Sequence, residues 1–153
     1  MSDLRELYQE VILDHSKNPR NFGHLDSSNR EAKGHNPLCG DQLQIYALLE
    51  DGDIKDVSFE GRGCAISVAS ASLMTDMLKG RTIEEAEKVF KHFHAVVTGE
   101  EEINADETGD GGLDKLQVLA GVRDYPMRVK CATLAWHTLK SALDSENTTV
   151  VTE

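Results

Sequence analysis

Cys39, Asp41, Cys64 and Cys131 are the side chains in this sequence best suited to hold a metal ion or to handle sulfur. The thiols lie 25 and 67 residues apart, so no C-x-x-C pair announces a zinc knuckle. Their local settings say more than their spacing. Each occurs where a turn or a helix start can expose a sulfur, not in the middle of an apolar stripe. In His35-Asn36-Pro37-Leu38-Cys39-Gly40-Asp41 turn formers precede a strand, and extended backbone would aim Cys39 and Asp41 to one face. In Gly61-Arg62-Gly63-Cys64 the glycines permit tight backbone at the mouth of a helix, where free N–H groups favour a thiolate. Arg128 and Lys130 precede Cys131, and their positive potential favours a thiolate there too.

Three thiolates and one carboxylate make four donors, enough for tetrahedral zinc with sulfur–metal distances of about 2.3 Å. Soft sulfur ligands equally suit iron in a cluster. One hard oxygen among soft sulfurs is the most exchangeable ligand, so such a site can open for an incoming group. Plainer roles stand beside these. A single buried cysteine behaves as a small hydrophobe, and Asp41 suits a turn or a helix cap. His35 lies near Cys39 and could be a ligand or a base, but a lone histidine in a polar loop is usually solvated, so it stays outside the set. His92, His94 and His137 have no ligand-like neighbours in sequence.

The elements that must hold these groups follow from periodicity. Residues 3–15 predict an amphipathic helix, with Leu4, Leu7, Tyr8, Val11 and Ile12 at helical spacing, and Pro19 marks its end. Residues 17–33 are polar and without period, which predicts a surface connection. Leu43, Ile45 and Leu49 alternate along 42–50, Val57 and Phe59 follow, and Asp51-Gly52 between them predicts an antiparallel hairpin. Residues 64–79 predict a helix with Cys64 at its start and Gly80 as its stop. Thr82 and Glu85 form a capping box for another, whose apolar stripe runs to Val97. Glu100 to Asp114 carries seven acids and no base, as expected of a solvated loop, and a short helix is expected around 113–119. Pro126 opens a last helix containing Ala132, Ala135, Trp136, Leu139 and Leu143. This order predicts an α+β fold: a small antiparallel sheet of about three strands with helices on one face, forming one domain over 1–146, with 147–153 a frayed tail.

Composition excludes several classes. The 153 residues suit one domain, and 16 basic against 27 acidic residues give a net charge of −11, which opposes binding to nucleic-acid phosphates and anionic membranes. No apolar run approaches the length that crosses a bilayer, and the first ten residues lack a signal-peptide pattern, so a cytoplasmic location is expected. An odd number of cysteines cannot close a disulfide framework, which directs attention to metal or sulfur chemistry.

Three blocks, Asn36-Pro37-Leu38-Cys39-Gly40-Asp41, Gly61-Arg62-Gly63-Cys64-Ala65-Ile66-Ser67 and Lys130-Cys131-Ala132-Thr133-Leu134-Ala135, resemble the U-type iron–sulfur cluster assembly scaffold family, its SufU branch most. Tyr8, Asp14-His15 and Asn18-Pro19-Arg20-Asn21 extend the similarity to the first helix. The resemblance implies a SufE/NifU-like fold that holds zinc through Cys39, Asp41, Cys64 and Cys131. It implies a pyridoxal-phosphate cysteine desulfurase of SufS type as partner. In that picture the partner displaces a zinc ligand, and Cys39 accepts persulfide sulfur and passes it to downstream assembly proteins or apoproteins. Apart from the resemblance, Arg128 is a candidate supporting residue that either tunes the site electrostatically or simply meets solvent. The alternative within the family is a scaffold on which iron and sulfide form a transient [2Fe–2S] cluster on Cys39, Cys64 and Cys131. Lys130 stands where the IscU-like branch has a histidine, and Tyr125-Pro126-Met127-Arg128-Val129-Lys130 lacks that branch's two-proline signal, which favours sulfur relay. Outside the resemblance, a purely structural zinc module and a cysteine hydrolase using Cys64 or Cys39 with His35 are the rival functions.

Overall fold

A computed structural model describes residues 2–37, 40–98, 119, 122, 125–144 and 148–151. At the hairpin, Asp51 and Gly52 both take positive φ, 55° and 81°. Two such residues in a two-residue loop make the type I′ turn whose twist matches that of its strands. They join β2 (Asp41–Glu50) to β3 (Asp53–Arg62), paired antiparallel with Ile45 opposite Phe59 and Ala47 opposite Val57. These four side chains and Leu43 are buried, as the alternation predicts.

Residues 30–33, expected within a surface connection, instead belong to β1 (Arg30–Asn36), which pairs antiparallel with β2 from Arg30–Ala47 to Asn36–Asp41. Its buried positions are Ala32, Gly34 and Asn36. None is a large apolar residue, so the usual strand signal is missing. The reason is the helix above it: a Cβ on Gly34 would run into Thr138 Oγ1 and the Leu134 side chain. Small residues let the helix sit directly on the strand.

Thr148–Val151, expected to fray, forms β4, parallel to β1 with Gly34 opposite Val150. The sheet order is β3-β2-β1-β4. Three antiparallel strands are present as expected, and the fourth arises because β1 offers a free edge to a β-branched run, Thr-Thr-Val-Val. At the opposite edge, Phe59 exchanges backbone hydrogen bonds with Asn21 and Gly23, so part of the 17–33 connection covers β3.

The helices are α1 (Ser2–Lys17), α2 (Ala65–Leu78), α3 (Ile83–Thr98) and α4 (Pro126–Asp144). The capping box forms as predicted: Glu85 N–H donates to Thr82 Oγ1 at 3.1 Å, and Thr82 N–H to Glu85 Oε1 at 3.0 Å. Helix α4 lies on β1 and β2 and packs against α2 and α3, while α2 bridges α1 and β3. Trp136 stacks on Phe93 with ring centroids 4.5 Å apart, and it joins Phe59, Ile45, Leu73, Met74 and Leu134 in the core.

Buried polar groups fix how the helices meet. Trp136 Nε1–H donates to Ser70 Oγ at 3.0 Å, and that hydroxyl donates to the Ala132 carbonyl at 2.5 Å, locking α2 to α4. Ser72 Oγ meets His15 Nδ1 at 2.7 Å and accepts the Arg20 N–H at 2.8 Å, so the Asp14-His15 and Asn18-Pro19-Arg20-Asn21 segments dock α1 on α2. The acidic 100–114 stretch and the expected helix around 113–119 lie outside the described residues, save Leu119, which is buried. Among the described residues no helix is long and apolar enough to cross a membrane.

Candidate metal centre

Three elements end at one place. Asp41 is the first residue of β2, Cys64 is the N-cap of α2, and Cys131 sits in the second turn of α4. Because β3 runs straight into α2 through Gly63, and α4 lies over the same end of the sheet, residues far apart in sequence converge. One donor atom from each of Asp41, Cys64 and Cys131 lies within 4.8 Å of the others. Tetrahedral ligands about 2.3 Å from a zinc ion stand about 3.8 Å apart, so the three are near ligand spacing already.

Asp41 is fully buried. Its Oδ1 accepts the Cys64 backbone N–H at 2.8 Å, while Oδ2 has no hydrogen-bond partner among the described residues. The structural and the metal-binding readings of Asp41 therefore each claim one oxygen: Oδ1 ties β2 to the start of α2, and Oδ2 is left over. A buried carboxylate oxygen without a partner costs about 1–3 kcal/mol or more. A cation shared with the two sulfurs would remove that cost, so the donor set fits zinc.

Glycine makes the space. A Cβ on Gly63 would stand 2.5 Å from Asp41 Oδ1, closer than any real side chain approaches. Cys131 is fully buried and accepts a hydrogen bond from Asn36 Nδ2 at 3.7 Å, whereas Cys64 is half-buried.

The expected residues divide as follows. The structure brings Asp41, Cys64 and Cys131 together. Cys39 lies outside the described residues. Gly40 has φ of 74°, so the extended backbone invoked to align Cys39 with Asp41 is interrupted by a left-handed residue. Arg128 is exposed on the first turn of α4 and makes no ion pair with the described residues. His35 alternates to the opposite face of β1 from Asn36, where it lines a shallow groove with Lys33, Gln42, Gln44, Glu60 and Arg62. It faces away from Asp41, on the side of β1 opposite the described metal-binding residues. His94 and His137 meet each other, with ring centroids 5.8 Å apart, and both rings contact Phe90. Asn36, a turn former by residue type, is a contact of the centre that sequence alone does not single out; its place in the same block as Cys39 and Asp41 is the signal that points to it.

An α+β domain that gathers two thiols and a buried aspartate at one end of its sheet is the class these observations define. The chain belongs to the family of NifU-like N-terminal domains, which matches residues 7–132. It is 41% identical over 145 residues to the zinc-dependent sulfurtransferase SufU of Bacillus subtilis, covering 95% of each chain. It is also 41% identical over 143 residues to the iron–sulfur cluster assembly scaffold protein IscU of Streptococcus pyogenes, covering 94% of this chain and 86% of that one. Among solved structures, FiSufU from Fervidobacterium islandicum superimposes with a TM-score of 0.80 at 35% identity, over 91% of this chain and 98% of that one. The U-type resemblance and the α+β fold inferred from the sequence are both borne out.

Proposed function

We propose that this chain is a zinc-dependent acceptor of persulfide sulfur, working in the cytoplasm as one domain that runs through β4. It takes sulfur from a cysteine desulfurase of SufS type and passes it to iron–sulfur cluster assembly. The single observation that carries the reading is the buried Asp41 Oδ2, without a hydrogen-bond partner among the described residues, beside the Cys64 and Cys131 sulfurs. The names of the SufU and IscU relatives support the same chemistry.

Cys39, Asp41, Cys64 and Cys131 would hold the zinc, which keeps coordinated thiols deprotonated. Asp41 would offer Oδ2 to the metal, since Oδ1 accepts the Cys64 N–H. Cys39 is the sulfur acceptor. Its thiolate attacks the outer sulfur of the desulfurase persulfide, the S–S bond of that persulfide breaks, and the desulfurase cysteine leaves as a thiolate. Cys39 then carries the S–SH group. Arg128, exposed at the start of α4, offers a cation to the anionic sulfur groups that meet there.

Incubation with a cysteine desulfurase, cysteine and a thiol reductant tests this. The expected results are faster sulfide release and a persulfide on Cys39; neither appearing would contradict the relay. A second reading, the scaffold for a transient [2Fe–2S] cluster, is favoured by the match to IscU. Anaerobic reconstitution with iron and sulfide would then give cluster absorption that Cys64→Ser abolishes.

A further inference from the structure

Asn36 closes β1 directly across the ladder from Asp41. Opposed residues of an antiparallel pair present their side chains on one face, and both residues are fully buried. The Asn36 amide points at the third element of the centre: Nδ2–H donates to Cys131 Sγ at 3.7 Å. A thiolate has no proton to give, so the nitrogen end of the amide is the end that must face it. An asparagine buried at a strand end is costly unless its amide is used, and an apolar residue of similar volume would fill the space without that cost.

We propose that Asn36 is a positioning residue for the metal centre: its side-chain N–H orients the Cys131 sulfur and withdraws charge from it, keeping Cys131 a ligand while sulfur arrives elsewhere. Hydrogen bonds from surrounding groups orient metal ligands and tune their basicity. The two described sulfurs are thereby made unequal. Cys131 is buried and hydrogen-bonded, and Cys64 is half-buried. This rests on the metal-centre reading above.

The test compares the wild type with Asn36→Leu, which keeps the branched side-chain skeleton and removes the donor. Zinc affinity, measured by chelator competition, falls about 10–100-fold, and the sulfur-to-metal charge-transfer bands of the cobalt-loaded protein shift. A purely structural asparagine would lower the melting temperature of the metal-free protein and leave those bands unmoved. If Asn36→Leu does not fold, the wild type decides. Loaded with NMR-active cadmium, it shows scalar coupling between the metal and the Asn36 side-chain amide protons through Cys131 Sγ. Unchanged affinity and bands in Asn36→Leu, or no such coupling in a wild type that binds the metal, would overturn the role of Asn36 and leave the metal centre standing. A wild type that takes up no metal overturns both.

Discussion

Asp41 Oδ1 accepts the backbone N–H of Cys64 at 2.8 Å, joining the first residue of β2 to the N-cap of α2. The same carboxylate keeps Oδ2 buried and unpartnered among the described residues. One side chain thus holds the local fold with one oxygen and leaves the other to a cation.

Asp41→Asn separates the two roles, because the amide oxygen can still accept the Cys64 N–H while the charge is gone. The metal-free variant is expected to be at least as stable as the metal-free wild type, since a buried unpaired charge has been removed. Zinc binding weakens more than about tenfold, so adding zinc raises Tm much less than in the wild type. Thermal melts with zinc and with chelator check both statements; equal zinc-induced shifts would speak against a metal at Oδ2.

Gly63→Ala places a methyl group 2.5 Å from Asp41 Oδ1. The strand, the helix start or the carboxylate must give way, at a cost of about 1–3 kcal/mol. Denaturant titration reads the loss, and the zinc content of the purified variant falls with it. Full metal content at unchanged stability would show that the space at Gly63 is not needed.

Gly34→Ala tests how β1 accommodates α4. The added methyl meets Thr138 Oγ1 and Leu134, and about 1–3 kcal/mol of destabilisation is expected. In a Thr138→Ala background the penalty shrinks, giving a coupling of about 0.5–3 kcal/mol in a double-mutant cycle. Additive effects would mean that the two residues do not press on each other.

That contact also explains what the sequence could and could not reveal. The β2–β3 hairpin, α2, α3 and α4 follow from the Asp51-Gly52 turn, apolar periodicity, the Thr82–Glu85 box and Pro126, all of which act locally. β1 has no apolar alternation, because its inward positions are Ala32, Gly34 and Asn36, chosen by a helix more than 90 residues away in the chain. β4 needed the free edge of β1, a fact of topology and not of its own residues. At the centre, residue type and motif pointed to Asp41, Cys64 and Cys131, and the structure converges them. The division of labour between the two Asp41 oxygens depends on where Cys64 N–H points, which only the folded chain determines.

His137 gives the stability a pH dependence. Burial holds its imidazole below the usual histidine range, and the neighbouring His94 and Lys140 lower it further. The folded state therefore resists protonation that the unfolded chain accepts near its ordinary value of about 6.5. Stability from the neutral ring is complete above that pH and is lost as pH falls through the lower folded value. Denaturation midpoints between pH 7.5 and 5, values set by that reference of about 6.5, are expected to fall less steeply in His137→Phe than in the wild type. Identical slopes would contradict the depressed histidine.

The most direct test of the account is the metal content and ligand environment of the chain purified without added metal, read by elemental analysis and zinc-edge X-ray absorption. One zinc per chain, bound by sulfur with one oxygen donor, is expected, the oxygen being lost in Asp41→Ala. A wild-type protein without metal, or one whose zinc environment is unchanged by Asp41→Ala, would contradict it.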